Sequence, residues 1–274
     1  MYLKKLAMIG LSVTLAVVLS AGSSYACHPW FNVNNYTVEK GPIRFHIAYG
    51  HNFPFGHSFF DNEQIENLYM LGPEGKRQEV GPRELKDGKL SQVQFESKGR
   101  LKEGIHLVVM ESKGHFRAKT AKGWQRKSKA ELKGEEVKGD VIFSQNYCKA
   151  IVNVGGKGGG GSYSRVLGHG LEIVPLKDPA ELRTNDILPI KVLHKGKPIE
   201  ESVTVYATYM GFSTEPDVFA YTALVSPCKK GIAKIRLLQP GIWMVFVNHK
   251  FPYPNSKLAD VYSYQATLTF EVKP

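Results

Sequence analysis

The sequence predicts an all-β protein of two β-sandwich-like domains, and three features carry that expectation. Short runs of apolar or alternating residues recur along the chain, and Gly, Pro, Asn or Asp bounds most of them. Val, Ile, Thr, Phe and Tyr fill these runs, the composition that favours strands. Helical periodicity is nearly absent, since only Asn62–Met70 places apolar residues where a short helix could use them.

The elements follow in order. Ile43–Ala48 and Ile105–Met110 are runs of alternating or continuous apolar character, the pattern of strands. Val141–Phe143, Cys148–Val154, Leu171–Val174 and Ile187–Val192 are further strands by the same reasoning. A second series comprises Val203–Tyr209, Phe219–Leu224, Ile232–Leu237, Ile242–Asn248 and Tyr264–Val272. Gly196-Lys197-Pro198-Ile199 and Pro240-Gly241 read as turns, and Trp243 is expected inside. The segment Leu176-Lys177-Asp178-Pro179-Ala180-Glu181-Leu182-Arg183 separates the two series. It sets an N-terminal domain at 27–175 and a C-terminal sandwich at 176–274. Lys113–Asp140 is polar and rich in lysine, so it reads as an exposed excursion from the first domain.

Before these strands lies an export signal. Lys4 and Lys5 precede the apolar run Leu6–Leu19, and Ser24-Tyr25-Ala26 supplies the small-x-small pattern of signal peptidase sites. The apolar run is shorter than the roughly 20 residues that span a bilayer. Residues 1–26 are therefore expected to be removed, sending a chain that begins at Cys27 to the periplasm. Lipidation of Cys27 is the alternative, although Ser24 stands where lipoprotein signals usually carry Leu. Removing 26 of 274 residues, two of them lysines, leaves 248 residues and lowers the formal charge from +11 to +9. Basic residues are scattered rather than striped, which argues against nucleic-acid recognition.

Three cysteines remain after cleavage, Cys27, Cys148 and Cys228. Cys27 is the natural odd one out, which makes Cys148–Cys228 the expected bridge in an oxidising compartment.

Enzyme signatures are missing: there is no G-x-S-x-G, no H-E-x-x-H and no dinucleotide-binding loop. Gly155–Gly161 looks at first like a phosphate loop, but Lys157 is followed by Gly158 and no helix follows, so it reads as a mobile connection. No enzymatic activity is expected. Nine histidines are the more suggestive resource, because neutral imidazole ligates Zn, Cu, Ni and related ions. His28, His51, His57 and His169 stand beside Gly or Pro in expected loops or at the new terminus, where distant segments converge. Once Cys27 is first, its amine, the His28 amide and the His28 imidazole can chelate one ion, with the Cys27 thiolate as a competing soft donor. Ni(II) or Cu(II) suits such a tetragonal set. Zn(II) would draw on His51, His57 or His169 for a tetrahedral one. Trp30 argues that this terminus is tethered by burial rather than frayed.

The order of motifs along the chain adds a resemblance. His28-Pro29-Trp30 after the signal, Tyr49-Gly50-His51, Asn146–Val152, Gly168–Pro175, Gly241-Ile242-Trp243 and Ala266–Val272 occur in sequence. Together they resemble the exported component associated with cobalt and nickel ABC-type uptake systems, over nearly the whole mature chain. The resemblance implies two β-sandwich-like domains, of immunoglobulin or prealbumin kind, and capture of nickel or cobalt for a membrane importer of the ABC or ECF type. It matches His28, Trp30 and His51 to family positions. His57 and His169 have no such match, and Cys27 departs from the alanine more usual before the histidine. A non-metal envelope module is the alternative, binding a glycan or a protein through aromatics such as Tyr209, Phe212, Tyr221 and Tyr253.

Overall fold

The computed structural model describes residues 27–159, 161–212 and 224–274. The signal peptide, Tyr221 and all but the last residue of the strand expected at Phe219–Leu224 lie outside the described residues.

The first part of the chain forms β1 (His28–Val33), β2 (Thr37–Val38), β3 (Arg44–Gly50), β4 (Ser58–Phe59), β5 (Ile65–Leu71) and β6 (Arg77–Gln78). It continues with β7 (Val80–Glu84), β8 (Leu90–Ser97), β9 (Gly104–Ser112), β10 (His115–Thr120), β11 (Gly123–Gln125), the single helical turn α1 (Lys129–Leu132) and β12 (Ile142–Val154). The second part supplies β13 (Glu172–Pro175), β14 (Ile187–His194), β15 (Lys197–Pro198), β16 (Val203–Tyr209), β17 (Leu224–Cys228), β18 (Ile232–Arg236), β19 (Gly241–Pro252) and β20 (Val261–Val272). The protein is all-β and sandwich-like, as its patterning predicts.

Three sheets stack in layers. The central one runs β17-β16-β19-β20-β12-β9-β5-β6, with β2 and β10 beside β12. A smaller sheet, β1-β3-β8-β7, covers one face, and β13-β14-β15 with β18 covers the other. Side-chain alternation produces this arrangement. On β9, Ile105, Leu107 and Val109 enter the core shared with the third sheet, while Val108 and Met110 enter the core shared with the β1 sheet. On β12, Tyr147 and Ile151 point to the first core, and Cys148, Ala150 and Val152 to the second. Strands buried on both sides read as continuous apolar runs, which is why these two segments show so little alternation.

Several expectations change. Asn62–Met70 is not a helix: Asp61 caps a 3-10 turn at Asn62–Gln64, and the rest becomes β5, paired antiparallel to β9. Local propensity there yields to sheet pairing. Val141–Phe143 and Cys148–Val154 belong to one long strand, β12. The segments 27–175 and 176–274 share a sheet, because β12 and β20 pair in parallel from Ile142↔Val261 to Ala150↔Thr269. The Gly-rich connection is tied down in part, with Gly158 N donating to Asn153 Oδ1 (3.1 Å) and Gly159 N to Asp178 Oδ2 (3.0 Å).

The expected Cys148–Cys228 bridge is absent, and both thiols are free and buried. Alternation explains the outcome, since Cys148 faces the β1-sheet core and Cys228 the opposite one. Burial pushes the Cys148 thiol up to about 12.

One buried ion pair pins the third sheet to the central one. Lys149 Nζ donates to Glu172 Oε1 at 2.9 Å, with both side chains almost fully buried. Leu167 N and Gly168 N also donate to that carboxylate. Burial alone would raise the Glu172 pKa, but the Lys149 ammonium and these amides hold it below its ordinary value. Burial pulls Lys149 downward and Glu172 opposes it, while the donors around Glu172 favour its ionised form.

Removing one partner leaves the other charged and unpaired. Lys149→Met or Glu172→Gln is therefore expected to cost about 3–5 kcal/mol in denaturant unfolding, and the double change to Met less than either alone. A carboxyl with a depressed folded pKa contributes stability above its unfolded value and loses it as pH falls through the folded one. Accordingly, Lys149→Met/Glu172→Met should show a flatter loss of stability on acidification than the unaltered chain.

Candidate functional site

The site begins with how the segment Cys27–Trp30 is held. The Pro29 carbonyl accepts from Thr267 Oγ1 (2.9 Å) and from Cys148 Sγ (3.3 Å), two residues facing each other across β20 and β12. Trp30 is fully buried with Phe53, Ala48 and Met244. Its Nε1 donates to Asn32 Oδ1 at 3.2 Å. Trp30 thus tethers the segment, as expected of so large an apolar side chain.

β1 pairs antiparallel with β3, from Val33↔Phe45 to His28↔Gly50. Continuing that register by one residue sets Cys27 opposite His51. Alternation then sends Cys27 and His28 to opposite faces. The Cys27 Sγ lies 3.9 Å from His51 Nδ1, while the His28 ring stacks on Phe246 with centroids 4.0 Å apart and planes 13° apart.

His57 returns to the same place through the β3–β4 hairpin, in which Tyr49 pairs with Ser58 and Ala48 with Phe59. The close approach depends on glycine. A Cβ on Gly50 would stand 2.8 Å from His57 N, and one on Gly56 would stand 2.9 Å from Tyr49 N. The His51 and His57 rings meet edge to face at 5.3 Å. Donor atoms of Cys27, His51 and His57 all lie within 4.8 Å of one another.

One sulfur and two imidazole nitrogens suit a borderline divalent ion such as Ni, Co, Cu or Zn. Metal–ligand bonds of about 2.0–2.3 Å require donors to sit ~3.4–3.7 Å apart around a tetrahedral ion, so the cluster must contract slightly. Cys27 and His51 are half-buried and His57 is exposed, which leaves an entry path. Burial raises the Cys27 thiol above its ordinary value, against a lowering by its backbone contact and Arg117. A metal must therefore displace its proton.

Two expected ligands are not part of this cluster. His28 is buried against Phe246. His169 lies on the other side of the central sheet, stacked on Tyr147 at 4.9 Å, with Nε2 3.7 Å from Glu111 Oε1. Burial lowers its pKa to about 4, so it is neutral near pH 7. The aromatics expected to form a strip are divided: Tyr209 packs on Trp243 and Phe212, and Tyr253 packs with Phe116, Phe143 and Tyr262.

Sequence reasoning passed over residues beside the cluster. The Lys113–Asp140 excursion folds into β10, β11 and α1. Its Arg117, Trp124 and Arg126 line a cavity of about 420 Å³ that Cys27 and Tyr49 also line. Its concentration of basic residues was the available signal, but nothing in the sequence said which face it covers.

Exposure separates the thiols. Only Cys27 should react quickly with a thiol reagent in the native, metal-free chain, and all three after denaturation; lipidation of Cys27 would leave none reactive before unfolding.

No curated protein matches the chain. Among solved structures, a marsupial T cell receptor is similar at 9% identity and TM-score 0.20, covering 88% of this chain and 73% of its own. A structure described as a membrane anchored protein from Corynebacterium diphtheriae is similar at 10% identity and TM-score 0.20, covering 90% of this chain and 62% of its own. At such TM-scores neither likeness carries an argument. A family model matches residues 24–251, most of the chain, and by that match this protein belongs to the family described as a domain of unknown function, DUF4198.

Proposed function

We propose that the protein is an extracytoplasmic binding protein that captures a divalent transition metal and delivers it to a membrane importer. The observation that carries this reading is the convergence of Cys27, His51 and His57, from the chain terminus and a glycine-dependent hairpin, within 4.8 Å. The export signal supports a periplasmic setting. Nickel or cobalt as cargo, and an importer of the ABC or ECF type as recipient, rest on the sequence resemblance described above. The donor set by itself also accommodates copper and zinc. Half-buried ligands beside an exposed His57 favour release as well as capture, which a carrier needs. After cleavage at Ala26 the Cys27 amine becomes a further donor beside its thiolate.

Calorimetric titration of the processed chain with Ni(II) or Co(II) tests this. Binding is expected well below millimolar, with His51→Ala, His57→Ala or Cys27→Ser each weakening it at least tenfold, about 1.4 kcal/mol. His169→Gln, across the central sheet, should leave it unchanged. Co(II)-loaded protein should show a near-ultraviolet thiolate charge-transfer band that Cys27→Ser removes. Binding no tighter than millimolar, or ligand variants indistinguishable from the unaltered chain, would overturn the reading.

A further inference from the structure

On the side where Cys27 opens to a cavity, the cluster's surroundings are electrostatically wrong for a bare cation. Cys27 lines the 420 Å³ cavity together with Arg117, Arg126, His115 and Trp124, a size within the roughly 300–1,000 Å³ of small-molecule sites. The Arg117 guanidinium lies over the Trp124 ring at 4.8 Å, which fixes its plane. Among the described residues neither arginine has a carboxylate within ion-pair distance. The one acid lining the cavity, Asp61, is held by hydrogen bonds from Glu63 N and Gln64 Nε2, and feels Arg126 only through space, beyond ion-pair distance. His115 is held below its ordinary value by burial and then by Arg126 and Arg117, so the cations crowd one space.

A divalent ion bound by one thiolate and two neutral imidazoles keeps a net positive charge. Two guanidiniums beside it repel a hydrated ion and attract an anion, and an arginine's planar fork matches a carboxylate. The three side-chain donors, even with the Cys27 amine as a fourth, leave coordination positions open on a six-coordinate ion, the number Ni(II) and Co(II) commonly adopt.

We propose that the metal is bound as a complex with a small polycarboxylate, with Arg117 and Arg126 holding carboxylates in this cavity while another donor of the same molecule completes the coordination at Cys27, His51 and His57. This rests on the metal-site reading and names the form in which its cargo arrives. The cavity selects the anion and the cluster selects the ion. By linkage, each strengthens the other's binding by the same factor.

Citrate serves as the probe. Equilibrium dialysis of radiolabelled citrate against the processed full-length chain should retain one citrate per chain with Ni(II) present, and at least tenfold weaker binding without it. Arg117→Gln/Arg126→Gln should lose that Ni(II)-dependent retention by at least tenfold while binding Ni(II) alone no more weakly than the unaltered chain. The exposed single change Arg126→Gln, with circular dichroism and a melting curve matching the unaltered chain, guards against a folding defect and should lose part of the effect. Bare Ni(II) binding with no citrate retained overturns the inference and leaves the metal site standing. Citrate retained equally without Ni(II), or equally by the double variant, overturns it as well. Absence of Ni(II) binding in every buffer overturns the site reading itself.

Discussion

The parallel contact between β12 and β20 is what the other features lean on. Parallel strands need long connections. Here everything between Val154 and Val261 intervenes before β20 comes to lie beside β12. Once joined, the two strands draw β9 and β5 to one side and β19 and β16 to the other, forming a single sheet. Both faces of that sheet are apolar, so each requires a cover. The β1 sheet covers one, the β13 sheet covers the other, and the Lys149–Glu172 pair fixes the second cover at a single buried point.

The candidate site inherits its position from the same contact. Cys148 and Thr267 meet across the β12–β20 seam, and both donate to the Pro29 carbonyl two residues from Cys27. That anchor, with Trp30 buried behind it, fixes the start of β1 as a placed group. Here the register with β3 continues to the end, so Cys27 faces His51 while His28 is committed to the aromatic packing around Phe246. A chelating pair adjacent in sequence is thus split by strand alternation. A pair separated by 24 positions replaces it.

The charge around the cluster follows from the excursion at Lys113–Asp140. Its small core, Ala118 and Leu132 against Val141 and Ala259, holds β10 and β11 at the side of β12. Arg117 and Arg126 therefore line the same cavity as Cys27. Two guanidiniums in one cavity disfavour a naked cation there and favour an anion, the more so the drier the cavity is.

Sequence alone determined the strands and the all-β class, because alternation, apolar runs and Gly or Pro punctuation are local consequences of covering one face or two. It also singled out His28 and His51, with Cys27, His57 and His169, as candidate ligands. It could not decide the face on which each donor lies, for that depends on register: one residue of slip reverses every side chain. His28 and His169 were legible as histidines but not as members of other surroundings. Cys148 and Cys228 were legible as a pair but not as residues on opposite faces of one sheet. Arg117 and Arg126 were legible only as basic charge. Tertiary structure alone decided that two sequence segments share a sheet, and that a lysine-rich excursion lines one cavity with Cys27, because both are contacts between residues far apart in the chain.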